Sequence, residues 1–148
     1  SVWFNTIGEI FDRYAAELAG KIIIDPSNPI APDGNGGFKK IIDAAQSAGK
    51  INAALLPKNA KLVKALGSLS AASLAGAAFQ TPQKAVIFYA ADDSSITEKV
   101  EQFITSTGFD PVSIGGIDQS IRMEVFGDLH EFGALGKTVT ASEAISKI

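Results

Sequence analysis

Cysteine is absent from this chain of 148 residues, and histidine, tryptophan and methionine occur once each. Without cysteine there is no disulfide, no thiolate metal site and no cysteine nucleophile. The chain also lacks a run of about 18 apolar residues, so we predict no membrane-spanning helix. Residues 1–5 have no basic segment and no cleavage pattern, and we therefore expect no signal peptide. Together these absences predict a soluble, cytoplasmic protein.

Positive charge is scarce as well. The 13 lysines and arginines against 16 aspartates and glutamates give a formal net charge of −3. Nucleic acids and anionic membranes are bound by basic patches, so we expect neither as a partner. Hydrophobic residues make up 46% of the chain, which excludes a disordered protein. We assign residues 1–148 to a single domain, because this length fits one hydrophobic core.

Helix and strand patterns alternate along the sequence. Apolar residues at spacings of three and four between Phe4 and Leu18 predict an amphipathic helix that ends at Gly20. Unbroken apolar runs predict buried strands at 21–25, 61–66 and 84–90, and a weaker pattern predicts a further strand at 111–117. This alternation predicts a Rossmann-like α/β fold, with about four mostly parallel strands and flanking helices.

The segments between these strands are less regular. Prolines and glycines in residues 26–37 predict an irregular loop, and residues 38–56 predict one or two short helices. An alanine-rich helix is predicted at 70–79, and a further helix begins after a cap at Asp92 and Asp93. A last long helix is predicted from Asp118, with its apolar face formed by Ile121, Val125, Leu129 and Phe132.

Three features suggest chemistry, but each has a simpler explanation. The glycine-rich residues 33–40 fail as a dinucleotide fingerprint because Lys39 stands where the third glycine is needed, and no Gly-Lys-Ser/Thr sequence occurs. We interpret them as an exposed loop. His130 has no cysteine ligands and no nucleophile elbow, which favours a structural role. Asp92 and Asp93 precede a helix, so capping is favoured over metal binding. We predict no catalytic residues and no metal site.

Two polar loops follow predicted strands. Residues 25–29, Asp-Pro-Ser-Asn-Pro, come directly after the first strand, and Gly67 and Ser68 follow the second. In open parallel sheets, ligands bind beyond the carboxyl ends of the strands, so the two loops are predicted to border one cleft. A rigid turn held by an Asx hydrogen bond explains residues 25–29 equally well.

The order of four segments resembles a known family. They are Gly20-Lys-Ile-Ile-Ile-Asp-Pro-Ser-Asn-Pro, Lys61-Leu-Val-Lys-Ala-Leu-Gly, Val86-Ile-Phe-Tyr-Ala-Ala-Asp-Asp and Gly108-Phe-Asp-Pro-Val. This order is similar to the C-terminal portion of the deazaflavin (coenzyme F-420)-dependent NADP oxidoreductases, which include bacterial predicted dinucleotide-binding proteins. In that family a glycine-rich loop and a first βαβ unit precede the matching region. Family members often carry asparagine where this chain has Gly67, and the tail from Gly127 looks more like the uncharacterised bacterial branch.

The resemblance implies an NADP(H)-dependent oxidoreductase that transfers hydride between NADP and a second redox partner, such as a deazaflavin. It implies that Ser27, Asn28 and Pro29 lie beside the nicotinamide end of the cofactor, with Gly67 and Ser68 across the cleft. Because the glycine-rich loop would hold the pyrophosphate, we expect this chain alone to bind NADP weakly or not at all.

Partners follow from the same reasoning. The three consecutive isoleucines at 22–24 predict a strand covered on both faces, and the resembled fold places a further strand at its edge. We therefore expect a homo-oligomer or a complementary chain, together with a small-molecule redox partner. The first helix is the alternative cover for that edge. The alternative function is a non-catalytic half-fold that associates with itself or with another chain.

Overall fold

The computed structural model describes residues 2–148 and contains six strands and six α-helices in that range. The strands are β1 Ile22–Asp25, β2 Ile30–Pro32, β3 Phe38–Lys40, β4 Lys61–Ala65, β5 Val86–Ala90 and β6 Asp110–Ser113. The α-helices are α1 Ile7–Arg13, α2 Ala15–Leu18, α3 Ala48–Ala54, α4 Ala71–Ala77, α5 Thr97–Ser106 and α6 Ala141–Ile145. Short 3-10 helices span Phe4–Thr6, Ser94–Ile96 and Ile117–Arg122. Within residues 2–148 no helix is long and apolar enough to cross a membrane.

Four strands form one sheet in the order β1-β4-β5-β6. The β1–β4 and β5–β6 pairs are parallel, and each has four residue pairs in register. The β4–β5 pair is antiparallel and short, with Lys64 opposite Ala90 and Ala65 opposite Tyr89. The prediction of a Rossmann-like sheet of about four mostly parallel strands is therefore confirmed.

Both faces of this sheet are covered, as its alternating side chains require. On one face, Val63, Ile87 and Tyr89 pack against the buried face of α5, which includes Val100 and Ile104. On the other face, Leu62 packs against Ile7 and Phe11 of α1. Further along that second face lie Val86, Phe88 and Ala90, which pack against the C-terminal residues Met123, Leu129 and Val139.

The loop predicted at residues 26–37 contains structure that the prediction missed. Strands β2 and β3 form an antiparallel hairpin, with Ile30 opposite Lys40 and Pro32 opposite Phe38. The side chain of Asp33 accepts hydrogen bonds from the backbone N–H groups of Asn35 and Gly37, which closes the turn. The sequence interpretation took the prolines as evidence against strands, because proline interrupts central strands. Pro32 instead lies at the end of a short hairpin strand, where proline is tolerated.

The prediction of a long helix from Asp118 is wrong. The chain forms only a 3-10 helix at Ile117–Arg122 and then a series of turns. Glycines permit these turns: a side chain at Gly127 would collide with the backbone of Ile121 and Arg122, and one at Gly133 with the backbone of Gly127. Of the predicted apolar face, Val125 and Leu129 reach the core from separate turns, whereas Phe132 is exposed. The helix predicted for residues 4–18 is also interrupted, at Tyr14.

Candidate functional site

A buried ion pair lies below the carboxyl ends of β1 and β4. Lys64 is 1% exposed and Asp25 is 4% exposed. The ammonium of Lys64 lies 3.2 Å from Asp25 Oδ2 and donates a hydrogen bond of 2.5 Å to the carbonyl oxygen of Ser27. Asn52 Nδ2 donates to the same carboxylate at 2.8 Å, and the backbone N–H of Ser27 donates to its other oxygen at 2.8 Å. The loop after β1 is thus held from below.

The protonation of Asp25 follows from these neighbours. Burial by itself raises the pKa of Asp25, because it disfavours the charged carboxylate. The positive charge of Lys64 and the hydrogen bonds from Ser27 and Asn52 together outweigh burial, so the pKa of Asp25 lies below its usual range. Asp25 is consequently ionised at neutral pH and forms a true ion pair with Lys64.

A second buried carboxylate fixes the start of α3. Glu124 is 1% exposed and accepts hydrogen bonds from the backbone N–H groups of Ala48 and Gly49 at 2.8 and 2.9 Å. Ser47 and Ser120 donate hydroxyl hydrogen bonds to it at 3.0 and 3.1 Å. Negative charge at a helix N-terminus is stabilising, and here the protein supplies it from its own C-terminal segment. Glu124 therefore has a structural explanation.

Asn28 connects three segments of the chain. Its Nδ2 donates to the carbonyl oxygen of Gly67 at 2.8 Å, and its Oδ1 accepts from the backbone N–H of Val125 at 2.7 Å. Gly67 itself touches the loop after β1, because a Cβ at this position would lie 2.6 Å from the carbonyl oxygen of Pro26. The two loops predicted to border a cleft are thus in direct contact, and any ligand lies beside them and not between them.

The five residues predicted to bind the cofactor are all near one another, at this end of the sheet. Ser27, Pro29, Gly67 and Ser68 are buried, and only Asn28 is partly exposed. The backbone carbonyl of Ser68 accepts a hydrogen bond of 3.0 Å from the backbone N–H of Glu131, which links the loop to the C-terminal segment. Cofactor binding by these residues stays a prediction.

Ser27 has one feature that packing does not explain. Its Oγ is buried and is the only such side-chain atom in residues 2–148 without a hydrogen-bond partner. The residue lines an apolar groove of about 250 Å³ between α1 and β1, here called the edge groove, whose walls include Ile10, Phe11, Ile23 and Ile24. Strand β1 pairs with β4 on one side only, and within the described chain no strand occupies its opposite edge.

A second cavity, here called the rim pocket, lies on the other side of Asn28 and measures about 320 Å³. Its lining residues are Asn28, Ile30, Phe38, Gly67, Leu69, Ser70, Val125, Phe126, His130 and Phe132. A smaller hollow of about 280 Å³, the middle hollow, shares Ser27 with the edge groove and Asn28 with the rim pocket. The three cavities therefore lie next to one another around residues 27–28.

His130 lies in the wall of the rim pocket and is 3% exposed. Its Nδ1 accepts a hydrogen bond of 3.0 Å from the backbone N–H of Phe132, so the proton of the neutral ring is on Nε2. Burial lowers the pKa of His130, although Glu131 and a hydrogen bond with the backbone of Gly67 act in the opposite direction. A neutral, hydrogen-bonded histidine agrees with the predicted structural role.

Among residues 2–148, no group of three potential ligands could hold a metal ion. Asp93 caps the 3-10 helix at Ser94–Ile96 by accepting from the N–H of Ser95, as predicted. Asp92 instead accepts from the backbone N–H of Ile117 at 2.8 Å. Neither carboxylate needs a metal to explain its position.

The sequence interpretation missed the buried Lys64 and the phenylalanines of the rim pocket. Lys64 had a usable signal, because a charged residue within the apolar run of β4 requires a buried partner, and Asp25 ends the neighbouring strand. The phenylalanines gave no such signal in the sequence, because Phe38, Phe126 and Phe132 come from three separate segments.

No protein-family model and no curated protein matches this chain. Several solved structures are similar to it, among them the following two. A hypothetical protein from Sinorhizobium meliloti is 26% identical with a TM-score of 0.78, over 95% of this chain and 64% of that one. A protein from Arthrobacter sp. FB24, assigned as an F420-dependent NADP reductase, is 23% identical with a TM-score of 0.68, over 82% of this chain and 56% of that one. This chain spans less than two thirds of either, and the similarity establishes a Rossmann-like α/β fold.

Proposed function

We propose that this chain is the C-terminal portion of an NADP(H)-dependent oxidoreductase, related to the deazaflavin-dependent NADP oxidoreductases. The similarity to a solved protein assigned as an F420-dependent NADP reductase supports the proposal. The order of the four sequence segments that resemble this family supports it as well. A Rossmann-like fold is by itself compatible with many functions, so the proposal depends on the residues at the end of β1.

The observation that carries the proposal is the buried hydroxyl of Ser27, which makes no hydrogen bond of acceptable geometry although it lies close enough to Asp25 to help lower the pKa of that carboxylate. A buried hydroxyl without a hydrogen bond costs about 1–3 kcal/mol, so we expect a bound water, an ion or a ligand group to satisfy it. Ser27 follows β1 at its carboxyl end, the position where open α/β sheets bind nucleotides. An amide such as the carboxamide of nicotinamide would satisfy this hydroxyl, so the residues here fit the nicotinamide end of the cofactor.

The glycine-rich residues of this chain do not form a pyrophosphate loop. Residues 33–37 form the hairpin turn between β2 and β3, and the N–H groups of Asn35 and Gly37 donate to the side chain of Asp33. They are therefore not a loop that precedes a helix and receives a pyrophosphate. The proposal assigns that role to a glycine-rich segment outside this sequence.

When bound, NADP(H) itself supplies the transferable hydride, and the protein supplies position and protection from water. Asn28 and Lys64 hold the loop after β1 through Gly67 and the Ser27 carbonyl, which keeps the Ser27 hydroxyl in a fixed place. The apolar walls of the edge groove exclude water beside it. No acid or base from this chain is needed for direct hydride transfer, in agreement with the absence of a predicted catalytic group.

The free edge of β1 suggests where the missing part binds. Unpaired strand edges are templates for another strand, and the exposed backbone here runs beside the apolar edge groove. We propose that a strand of a complementary segment, or of a second copy of this chain, pairs with β1. Helix α1 packs on one face of β1 through Ile7 and Phe11 and also lines the edge groove, so cover by the first helix is the alternative to an added strand.

Two measurements test the proposal. Calorimetric titration of the isolated chain with NADPH should show a dissociation constant weaker than low micromolar, because the pyrophosphate is unbound. In a longer protein that includes a glycine-rich half, Ser27→Ala should weaken NADPH binding, while Ser94→Ala, at an exposed serine, should not. Tight NADPH binding by this chain alone, or an unchanged affinity in Ser27→Ala, would contradict the proposal.

The second candidate is the non-catalytic half-fold that associates through β1. The free edge of β1 favours this function equally, because strand pairing at that edge needs no ligand. Light scattering over a range of concentrations shows whether the chain associates with itself, which gives a mass above the 15.4 kDa of one chain, and NADPH binding by the longer protein separates the two functions. If NADPH also fails to bind the longer protein, the half-fold is the better description.

A further inference from the structure

The rim pocket contains no charged residue among the described residues that line it. Its walls are mainly apolar: Ile30, Leu69 and Val125 contribute aliphatic groups, in addition to three phenylalanines. An ionised ligand would lose its hydration here without gaining a counter-charge, which is costly. The carboxylate of Glu131, which follows His130 in the chain, accepts hydrogen bonds from Ser70 and Ser73 and would repel an anion. The pocket is therefore suited to an uncharged molecule.

The three phenylalanines are unusually exposed for their position. Phe38, Phe126 and Phe132 are 51%, 53% and 62% exposed, and all three line the same pocket. They come from β3, from the turn after the 3-10 helix and from the segment after His130. Single exposed phenylalanines are ordinary, but three that surround one cavity form an apolar patch of the kind that marks a binding site.

The backbone at Phe126 is strained as it is at Phe79 outside the pocket, so the strain supports a binding site only together with the exposed rings around the pocket. The φ angle of Phe126 is +69°, in the left-handed region that non-glycine residues rarely adopt. Glycine at this position would avoid the strain, and it would remove only a half-exposed ring from the surface. Folding alone therefore favours glycine here. Strained residues of this kind concentrate at binding sites, where a side chain must be presented in one direction.

The polar groups in the wall are already bound. Both ends of the Asn28 amide have backbone partners, and the Nδ1 of His130 accepts from Phe132. The hydroxyl of Ser70 is hydrogen-bonded to Ser73. A ligand in the pocket consequently meets aromatic and aliphatic surface with few free donors or acceptors.

We infer that the rim pocket binds an uncharged, planar aromatic molecule of one or two fused rings, stacked against Phe126 and Phe132. The volume of about 320 Å³ lies at the lower end of the range for ligand pockets, about 300–1,000 Å³. The role of this molecule as the second redox partner rests on the proposed function. The middle hollow supports that role, because it lies between the rim pocket and Ser27, where the nicotinamide is proposed, and is lined by both Ser27 and Asn28.

Two matched probes test the inference on the chain as it exists. The first is 1,4-naphthoquinone, which is planar and uncharged, and the second is 1,4-naphthoquinone-2-sulfonate, which adds one negative charge. The chain has no cysteine to react with a quinone, so binding is measured without thiol chemistry. In equilibrium dialysis the uncharged probe should bind at least about tenfold more tightly than the sulfonate, because the charge finds no partner.

Variants locate the binding. Phe132→Ala and Phe126→Ala should each weaken naphthoquinone binding by about three- to tenfold, the effect of one lost aromatic contact. Phe79→Ala is the control, since Phe79 is 66% exposed, has a φ of +58° and lies outside the pocket. It should leave binding unchanged. Circular dichroism of each variant verifies that the fold is retained.

The outcomes separate this inference from the proposed function. Equal binding of the two probes, no binding, or an equal effect of Phe79→Ala and Phe132→Ala would overturn the inference. If the expected pattern is found but NADPH does not bind the longer protein, the ligand class of the pocket is supported and the proposed function fails. If NADPH binds and the probes do not, the proposed function survives without this second site.

Discussion

Replacing Lys64 with methionine tests how the end of β1 is held. The change keeps the length of the side chain and removes its charge, its ion pair with Asp25 and its bond to the Ser27 carbonyl. Asp25 keeps the hydrogen bonds from Asn52 and from the N–H of Ser27, but it loses the only positive charge within contact distance. Its carboxylate then remains buried and uncompensated.

The expected loss follows from that geometry. Breaking a buried ion pair by removing one partner costs about 3–5 kcal/mol. We expect a loss in this range at pH 7 for Lys64→Met, because both groups are at least 96% buried, as their exposures of 1% and 4% show. Proteins of this size are stable by about 5–15 kcal/mol, so the loss is a large fraction. In the double variant Lys64→Met/Asp25→Asn, where no charge is left buried, most of the stability should return.

The dependence on pH should change sign. In the unchanged protein the pKa of Asp25 is lowered, so its contribution is present above the usual aspartate pKa and disappears as the pH falls through the folded-state pKa. Without Lys64, burial is the dominant influence and raises the pKa of Asp25. The variant should then lose stability as the pH rises and recover part of it near about pH 4, where aspartate is half protonated in model peptides.

Urea unfolding at pH 7 and at about pH 4 measures both effects. The difference between the unchanged protein and Lys64→Met should be larger at pH 7 than at pH 4. Lys61→Met is the control, because Lys61 lies on the same strand with a partly exposed ion pair to Asp93. It should cost about 1 kcal/mol or less. A loss below about 1 kcal/mol for Lys64→Met, or an equal loss at both pH values, would refute the reasoning.

Three further predictions concern the loops around the pocket, each measured by urea unfolding. Gly67→Ala should cost about 1–3 kcal/mol, because the new Cβ would press on the Pro26 carbonyl; a neutral effect would show that the loops can separate. Asn28→Ala should cost about 1–3 kcal/mol through two lost hydrogen bonds, and an effect on turnover alone would contradict this. Phe126→Gly should be about 1 kcal/mol more stable than Phe126→Ala, unless the backbone relaxes from its positive φ.

The sheet was predictable because its strands carry strong local signals. Ile22–Asp25 and Val86–Ala90 are short unbroken apolar runs, and such runs occur in strands covered on both faces. The region after Asp118 was not predictable in the same way. The spacing of Val125 and Leu129 fits a helix, yet the turns at Gly127 and Gly133 place these residues in the core by another path.

The position of the candidate site was predictable to the level of loops. Strand order places residues 26–29 and 67–68 at one end of the sheet, and the structure has them in contact. Their contact could not be inferred, because it depends on Gly67 lying against a backbone carbonyl and on the amide of Asn28. The opposite wall of the rim pocket comes from residues 125–132. Val125, whose N–H donates to Asn28, lies 97 positions further along the chain.

The buried ion pair and the rim pocket are parts of one arrangement. Lys64 holds the carbonyl of Ser27, and the next residue, Asn28, holds both Gly67 and Val125. His130 reaches the same Gly67 backbone from the opposite wall. A shift of the loop after β1 would therefore move two walls of the rim pocket together with the Ser27 hydroxyl. This explains why a cation is kept in a strand interior, where an apolar residue would be easier to bury: its hydrogen bond fixes the loop that both proposed ligands share.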